Sequence, residues 1–314
     1  MNMVFMGTPD FASAALEKLI EAGENVTLVI TQPDRAKGRS KELIASPVKQ
    51  SALAHGIEVF QPEKIREEAA VARIKEEKPE LIVVAAFGQI LSKEILEIPE
   101  YGCINIHASL LPEYRGAAPI QQSILDGKKE TGVTIMKMDE GLDTGDILMQ
   151  RSIPIAEDET GGSLFDKLSE LGASLAVEAI PLIKDGKLTA VKQDDSRSSY
   201  AGMLKKDSGR LDFSRDALEL ERIIRAMNPW PSAYAFLGKK TLKIWKAHVT
   251  EGVITSDIKK IGEITNITKS DFTIQCGKNS LVIEELQLEG KKRMSTHDFL
   301  VGNSIKTGDI LNND

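Results

Sequence analysis

The run Leu81–Phe87 (LIVVAAF) is apolar at every position and so leaves neither face of a strand for water. A strand without polar alternation is covered on both sides, which is the environment of a parallel sheet flanked by helices. Shorter apolar stretches at Met1–Met6, Val26–Thr31 and Ile57–Phe60 suit the same sheet. Helical patterns separate them: Phe11, Ala15, Leu16, Leu19 and Ile20 fall on one face, and Glu67–Glu77 reads as a charged, alanine-containing helix. Strands alternating with helices predict an α/β fold with a mostly parallel sheet.

The densest chemistry lies between Gly102 and Asp146 (GCINIHASLLPEYRGAAPIQQSILDGKKETGVTIMKMDEGLDTGD). Cys103–His107 reads as a buried strand, and alternation puts Cys103, Asn105 and His107 on one side, with Ile104 and Ile106 on the other. Two polar side chains at the end of an apolar strand, followed by a Pro-containing turn, mark the edge where an open α/β sheet meets ligands. Phe87-Gly88-Gln89 ends its strand at the same edge. Ala117–Leu125 is predicted helical and Gly132–Met138 a strand leading into an Asp139–Asp146 corner; the amphipathic helix Ser163–Lys184 closes a first domain, residues 1–188.

Thr189–Asp207 loses apolar periodicity and is read as a linker. Beyond it a second domain, 208–314, holds a helix at Leu218–Met227, the turn Asn228-Pro229-Trp230-Pro231 and a late helix at Ser295–Leu300. Strands are predicted at Tyr234–Leu237, Leu242–His248, Ile261–Ile267, Phe272–Cys276 and Leu281–Leu288, which suits a small antiparallel barrel. Trp230 and Trp245 are assigned to its core.

Two cysteines without C-x-x-C spacing suggest neither a disulfide framework nor a metal site. The N-terminus has no basic segment before an apolar run, and no stretch is long enough to span a bilayer, so a cytoplasmic protein without a membrane partner is expected. The net charge of -7 divides into -8 over residues 1–206 and +1 over 207–314, so a nucleic acid must be met by local patches. One such patch is the long connection Gln32–Pro47, where Arg35, Lys37, Arg39 and Lys41 alternate around Gly38; a solvated loop explains it as well. At Gly7-Thr8-Pro9-Asp10, Thr8 is expected to cap the first helix with Pro9 in its first turn. With one glycine where a dinucleotide fingerprint has three, this is read as a plain βα turn, which disfavours a dehydrogenase.

An Asn amide beside an imidazole can donate to one oxygen, as needed when a carbonyl becomes an oxyanion. Asp143, on a Gly-flanked loop, can hold His107 protonated or accept a proton from an attacking amine. No Ser or Cys nucleophile sits in an elbow sequence, so acyl-type transfer to an external amine is the chemistry these residues permit. Independent hydrogen-bonders at strand ends remain open on residue types alone.

The segments NIHASLLPEYRGAAPIQQSI and TGVTIMKMDEGLDTGDIL resemble the signature of the formyltransferases that use 10-formyltetrahydrofolate, whose Asn, His and Asp fall on Asn105, His107 and Asp143. GTPDFA at Gly7, TQPDR at Thr31, SPVK at Ser46, NPWP at Asn228, KIWKA at Lys243 and GKKRM at Gly290 extend the resemblance over nearly the whole chain, to the members that formylate methionyl-tRNA. The resemblance implies a Rossmann-like catalytic domain joined to a barrel similar to an OB-fold. It implies transfer to the methionine amine of initiator tRNA by a monomer, without a metal. It also implies folate near Phe87, Gly88, Gln89, Ser109, Leu110, Leu111, Pro112 and Asp139. On this view the basic loop meets phosphates, with Lys243, Lys246, Lys291 and Lys292 as a second patch. An acceptor such as a sugar nucleotide would need neither the loop nor the second domain.

Overall fold

The computed structural model describes residues 1–37, 42–251 and 260–312. Among them two compact units are distinguished: one comprises Met1–Pro119, Glu130–Pro154 and Phe165–Gly202, the other Ile120–Lys129, Ile155–Leu164 and the chain from Met203 on. No helix among the described residues is long and apolar enough to cross a membrane.

In chain order the first part contains β1 (Asn2–Gly7), α1 (Asp10–Glu21), β2 (Asn25–Ile30), β3 (Arg35–Lys37), β4 (Glu42–Ile44), α2 (Pro47–Ala54), β5 (Glu58–Phe60), α3 (Glu68–Glu76), β6 (Leu81–Ala85), α4 (Lys93–Leu96) and β7 (Cys103–His107). Then come β8 (Arg115–Gly116), α5 (Pro119–Leu125), β9 (Glu130–Lys137), β10 (Ile147–Pro154), α6 (Gly161–Lys184) and β11 (Tyr200–Ala201). The main sheet runs β10-β9-β7-β6-β1-β2-β5. Pairing is parallel from β5 through β7 and antiparallel where β9 and β10 extend the edge. Strand order reverses between β1 and β6, the topological switch point at which α/β sheets open a crevice beyond their carboxyl ends.

The continuous apolar strand is explained by its two coverings. Ile82, Val84 and Cys103 pack with Val71 and Ile74 of α3 and Ile95 of α4 in one buried cluster. On the other face Gly172 of α6 lies against Ile106, Phe11 and Val133, so close that a Cβ there would come 2.9 Å from Ile106. The edge strand β10 was not anticipated, because Gln150, Arg151 and Ser152 are exposed along its middle and break off its short apolar start, Ile147-Leu148-Met149.

Gly7 owes its place to packing: a Cβ would stand 2.5 Å from that of Ala12 and 2.9 Å from Ala85 O. Thr8, expected to cap α1, does something else. Pro9 occupies the N-cap without a side-chain bond, while the Thr8 hydroxyl donates to Phe87 O at 3.4 Å and accepts from Gln32 N. Its side chain thus ties together the ends of β1, β2 and β6, a tertiary use that overrides the capping preference. Within the long Gln32–Pro47 connection the described residues are not a plain loop: β3 and β4 pair antiparallel, with Arg35 opposite Ile44. Asp34, at its root, is held by Lys49 at 2.5 Å and Gln61 at 2.7 Å.

The expected linker is not free chain. Val191 bridges to Ile147, and β11 pairs in parallel with β8. The stretch up to Gly202 therefore belongs with the first unit, and the chain passes to the second unit for the last time between 202 and 203.

The second unit holds α7 (Ala217–Ala226), β12 (Ala233–Leu237), β13 (Lys240–Thr250), β14 (Ile264–Ile267), β15 (Phe272–Gln275), β16 (Ser280–Leu288), β17 (Met294–Ser295) and α8 (Thr296–Gly302). Its sheet is antiparallel throughout, in the order β12-β13-β16-β15-β14 with β17 on β16. Among the described residues this path has two ends, and no pairing joins β14 to β12. The stretches 120–129 and 155–164 belong here because Gly127 leaves room for Arg222 and Gly161 for the Ala226 carbonyl, both on α7 or its end. Trp230 is 56% exposed, so the core assignment fails for it. Trp245 is half-buried, with Arg293 and Lys243 over its ring at 5.0 and 5.6 Å.

Candidate active site

At the carboxyl end of β7, alternation carries Asn105 and His107 past the core occupied by Cys103. The corner after β9 then brings Asp143 to them. Asn105 Nδ2 lies 3.4 Å from Asp143 Oδ1, and His107 Nδ1 lies 3.7 Å from Asp143 Oδ2. All three groups are withdrawn from solvent to different degrees: His107 is buried, Asn105 half-buried, and the Asp143 side chain is 13% exposed. Both separations exceed those of tight hydrogen bonds, so the three groups are not locked to one another and the atoms they turn toward each other can engage a substrate atom.

The imidazole orientation follows from its other contact. Nε2 is 2.9 Å from Tyr114 O, and a carbonyl can only accept, so Nε2 carries the proton. Nδ1 is the nitrogen left to face Asp143 and a substrate. Tyr114, at φ +61°, is itself fixed by its N–H donating to Ser199 Oγ at 2.9 Å. The Asp143 carboxylate accepts from Gly116 N at 2.8 Å, a charge-assisted bond that sets the side chain's direction. Neither Gly116 nor Ser199 was singled out from the sequence. Gly116 stood in a quoted motif, whereas Ser199 lay in the presumed linker and gave no signal.

The residues expected near a folate fall into two groups. The Phe87 side chain belongs to the sheet's buried cluster. Ser109, Leu111 and Pro112 are buried, the Ser109 hydroxyl donates to Glu113 O at 2.6 Å, and Thr134 and Gln150 hold this turn to β9 and β10. The Gln89 side chain braces the segment 62–65, accepting from Ile65 N at 2.7 Å. These side chains shape the edge from within. Gly88, at φ +81°, is exposed, Leu110 is half-buried, and Asp139 is exposed although its carboxylate accepts from Gly141 N and Thr144 Oγ1. Ile90 and Leu142 add exposed apolar surface next to Gln89 and Asp143 in sequence.

Of the expected phosphate-binding cations, Arg35 is exposed on β3, and Lys37 is described in its backbone alone. Arg39 and Lys41 lie outside the described residues. Lys243 stands over Trp245. Lys246 pairs with Glu284 at 2.7 Å, and that carboxylate holds its ammonium above the usual lysine range. Lys291 and Lys292 are exposed after β16. No group of three or more His, Cys, Asp or Glu among the described residues is arranged to hold a metal ion.

Residues 1–180 match the family model described as formyl transferase, and residues 203–304 match that of the formyl transferase C-terminal domain. The chain belongs to the formyl transferase family. A methionyl-tRNA formyltransferase of Lachnospira eligens is 53% identical over 313 residues, 99% of either chain. One of Geobacter metallireducens is 51% identical, covering 98% of this chain and 97% of the other. Among solved structures of the same fold, an N-formyltransferase of Helicobacter canadensis in complex with folinic acid and dTDP-3-aminofucose superposes with a TM-score of 0.63 at 20% identity, covering 90% of this chain and 98% of that one. HypX of Aquifex aeolicus in complex with tetrahydrofolic acid gives 0.59 at 15% identity, covering 98% of this chain and 50% of that chain. This formyl transferase thus has a mostly parallel α/β sheet and a smaller antiparallel one, and it is an enzyme.

Proposed function

We propose that this chain transfers the formyl group of 10-formyltetrahydrofolate to the α-amino group of methionyl-tRNA, its initiator form in particular, as a monomer in the cytoplasm. The observation that carries the reading is the convergence of Asn105, His107 and Asp143 at one sheet edge, in a chain about half identical to methionyl-tRNA formyltransferases over its length. The acceptor amine, with a free pKa of about 8, is partly neutral near pH 7 and attacks the formyl carbon. The carbonyl electron pair moves to oxygen, where Asn105 Nδ2–H donates, joined by Nδ1–H of His107 in its doubly protonated form. Asp143 takes the proton shed by the amine; collapse of the adduct expels N10 of the folate, which regains a proton, leaving tetrahydrofolate and formylmethionyl-tRNA.

Exposed backbone at Gly88 and apolar surface at Ile90 and Leu142 suit a flat folate ring beyond the switch point. The basic residues of the Gln32–Pro47 connection (Arg35, Lys37, Arg39, Lys41) and Lys243, Lys246, Lys291 and Lys292 are assigned to tRNA phosphates. Lys291 and Lys292 are better placed than Lys246, whose charge Glu284 already neutralises. The test is incubation with 10-formyltetrahydrofolate and methionyl-tRNA, measuring formyl-methionine after deacylation. Formylation of a dTDP-linked amino sugar, with none on the tRNA, would overturn the reading.

A further inference from the structure

Gln193 lies in the segment that sequence assigns to a linker, yet it is half-buried between exposed neighbours. Its Nε2 donates to two carbonyls of the active-site corner, Asp143 O at 2.8 Å and Gly145 O at 2.7 Å. Its Oε1 accepts from Arg115 Nε at 3.0 Å and Nη2 at 2.9 Å. A guanidinium only donates and a carbonyl only accepts, so the four contacts are compatible with a single amide orientation. Arg115 is fixed in turn: its Nη2 reaches Asp195 at 2.7 Å, and its strand pairs with Tyr200–Ala201.

The corner needs such a brace. Asp143 has φ +53°, a left-handed conformation that non-glycine residues seldom adopt without support. Its carboxylate is gripped by Gly116 N, while the bonds of Asp139 to Gly141 and Thr144 and of Lys137 N to Asp146 O do not touch Asp143. Among the described residues, the Gln193 side chain anchors the Asp143 main chain from outside the corner.

We propose that Gln193, oriented by Arg115, is a positioning residue that sets the Asp143 carboxylate against Asn105 and His107. This rests on the role given to Asp143 above. Misplacing a reacting group by about 1 Å costs on the order of a hundredfold in rate. Gln193→Ala is therefore expected to lower kcat roughly ten- to a hundredfold, with KM for both substrates changed little.

A double-mutant cycle in formyl transfer tests this, comparing Gln193→Ala, Asp143→Asn and the double variant in the full chain. If Gln193 acts through Asp143, its substitution loses most of its effect once Asp143 is already Asn. Multiplied losses in the double variant would overturn the proposal while leaving the role of Asp143 standing. A wild-type rate in Asp143→Asn alone would overturn both. Should Gln193→Ala not fold, Gln193→Glu keeps an acceptor for Arg115 but has no N–H for the two carbonyls. Its kcat is expected to fall alike, and an unchanged kcat would overturn the proposal.

Discussion

Replacing Asp143 by Asn separates what the carboxylate does for the fold from what it does for the reaction. In the fold its one close contact is acceptance from Gly116 N at 2.8 Å, a bond to a charged group worth about 1.5–3 kcal/mol. The Asn carbonyl can take over as acceptor, leaving an ordinary bond of about 0.5–1.5 kcal/mol, so the expected loss of stability is about 1 kcal/mol. For a unit of this size that lowers the unfolding midpoint by about 2–4 °C. The new NH2 would face the Asn105 amide donor, now 3.4 Å from Asp143 Oδ1, a mismatch that turning either amide relieves. On the role proposed for Asp143, the reaction loses its proton acceptor. General acid–base groups contribute roughly 10²–10⁴-fold, or about 2.7–5.4 kcal/mol of barrier at 1.36 kcal/mol per decade. The catalytic effect should thus exceed the structural one severalfold. Formyl-methionine formation at saturating substrates, measured beside thermal unfolding of the same preparation, reads both. A rate within fivefold of the unsubstituted enzyme, or a loss of rate seen only where the protein has melted, would refute the assignment.

Asn105→Ala and His107→Ala should each lower turnover roughly a hundred- to a thousandfold while the far-UV circular dichroism stays unchanged; near-normal turnover in either would remove that residue from the mechanism. Gly7→Val should destabilise the first unit by about 1–3 kcal/mol in urea unfolding, because its Cβ would stand 2.5 Å from Ala12; an unchanged midpoint would show that α1 moves aside freely. Burial pushes the Cys103 and Cys276 thiols up to about 12, so both should resist a thiol reagent at pH 8 until the chain unfolds. From about pH 9 to 12 the unfolded thiols lose protons that the folded ones keep, so the two groups should make stability fall with rising pH in that window, checked by urea midpoints at pH 8 and 10. Arg39→Ala should raise KM for methionyl-tRNA with kcat at saturation unchanged; an unaltered KM would return the basic residues of the Gln32–Pro47 connection to a solvated role.

Strand-level features were legible because they are written locally. Continuous apolar residues announced the doubly covered β6, and a two-residue period put Asn105 and His107 on one face beside Cys103. Where solvent exposure broke those patterns, the reading failed: β10 carries polar residues along its middle, and Trp230 lies at the surface although its type favours the core. Thr8 had the right chemistry for a cap, and competition from Phe87 O and Gln32 N redirected it.

By itself the chain's residue order determined the fold class and the shared face of Asn105 and His107, since periodicity depends on neighbours along the backbone, and the resemblance put forward Asp143 as their companion. Tertiary structure alone decided that Tyr114 O accepts from His107 Nε2–H and that Gln193 grips the Asp143 corner from the far side of a 24-residue helix in the sequence. Hydrogen bonds of that kind join residues whose separation is set by sheet register and loop path, and no local pattern encodes those distances.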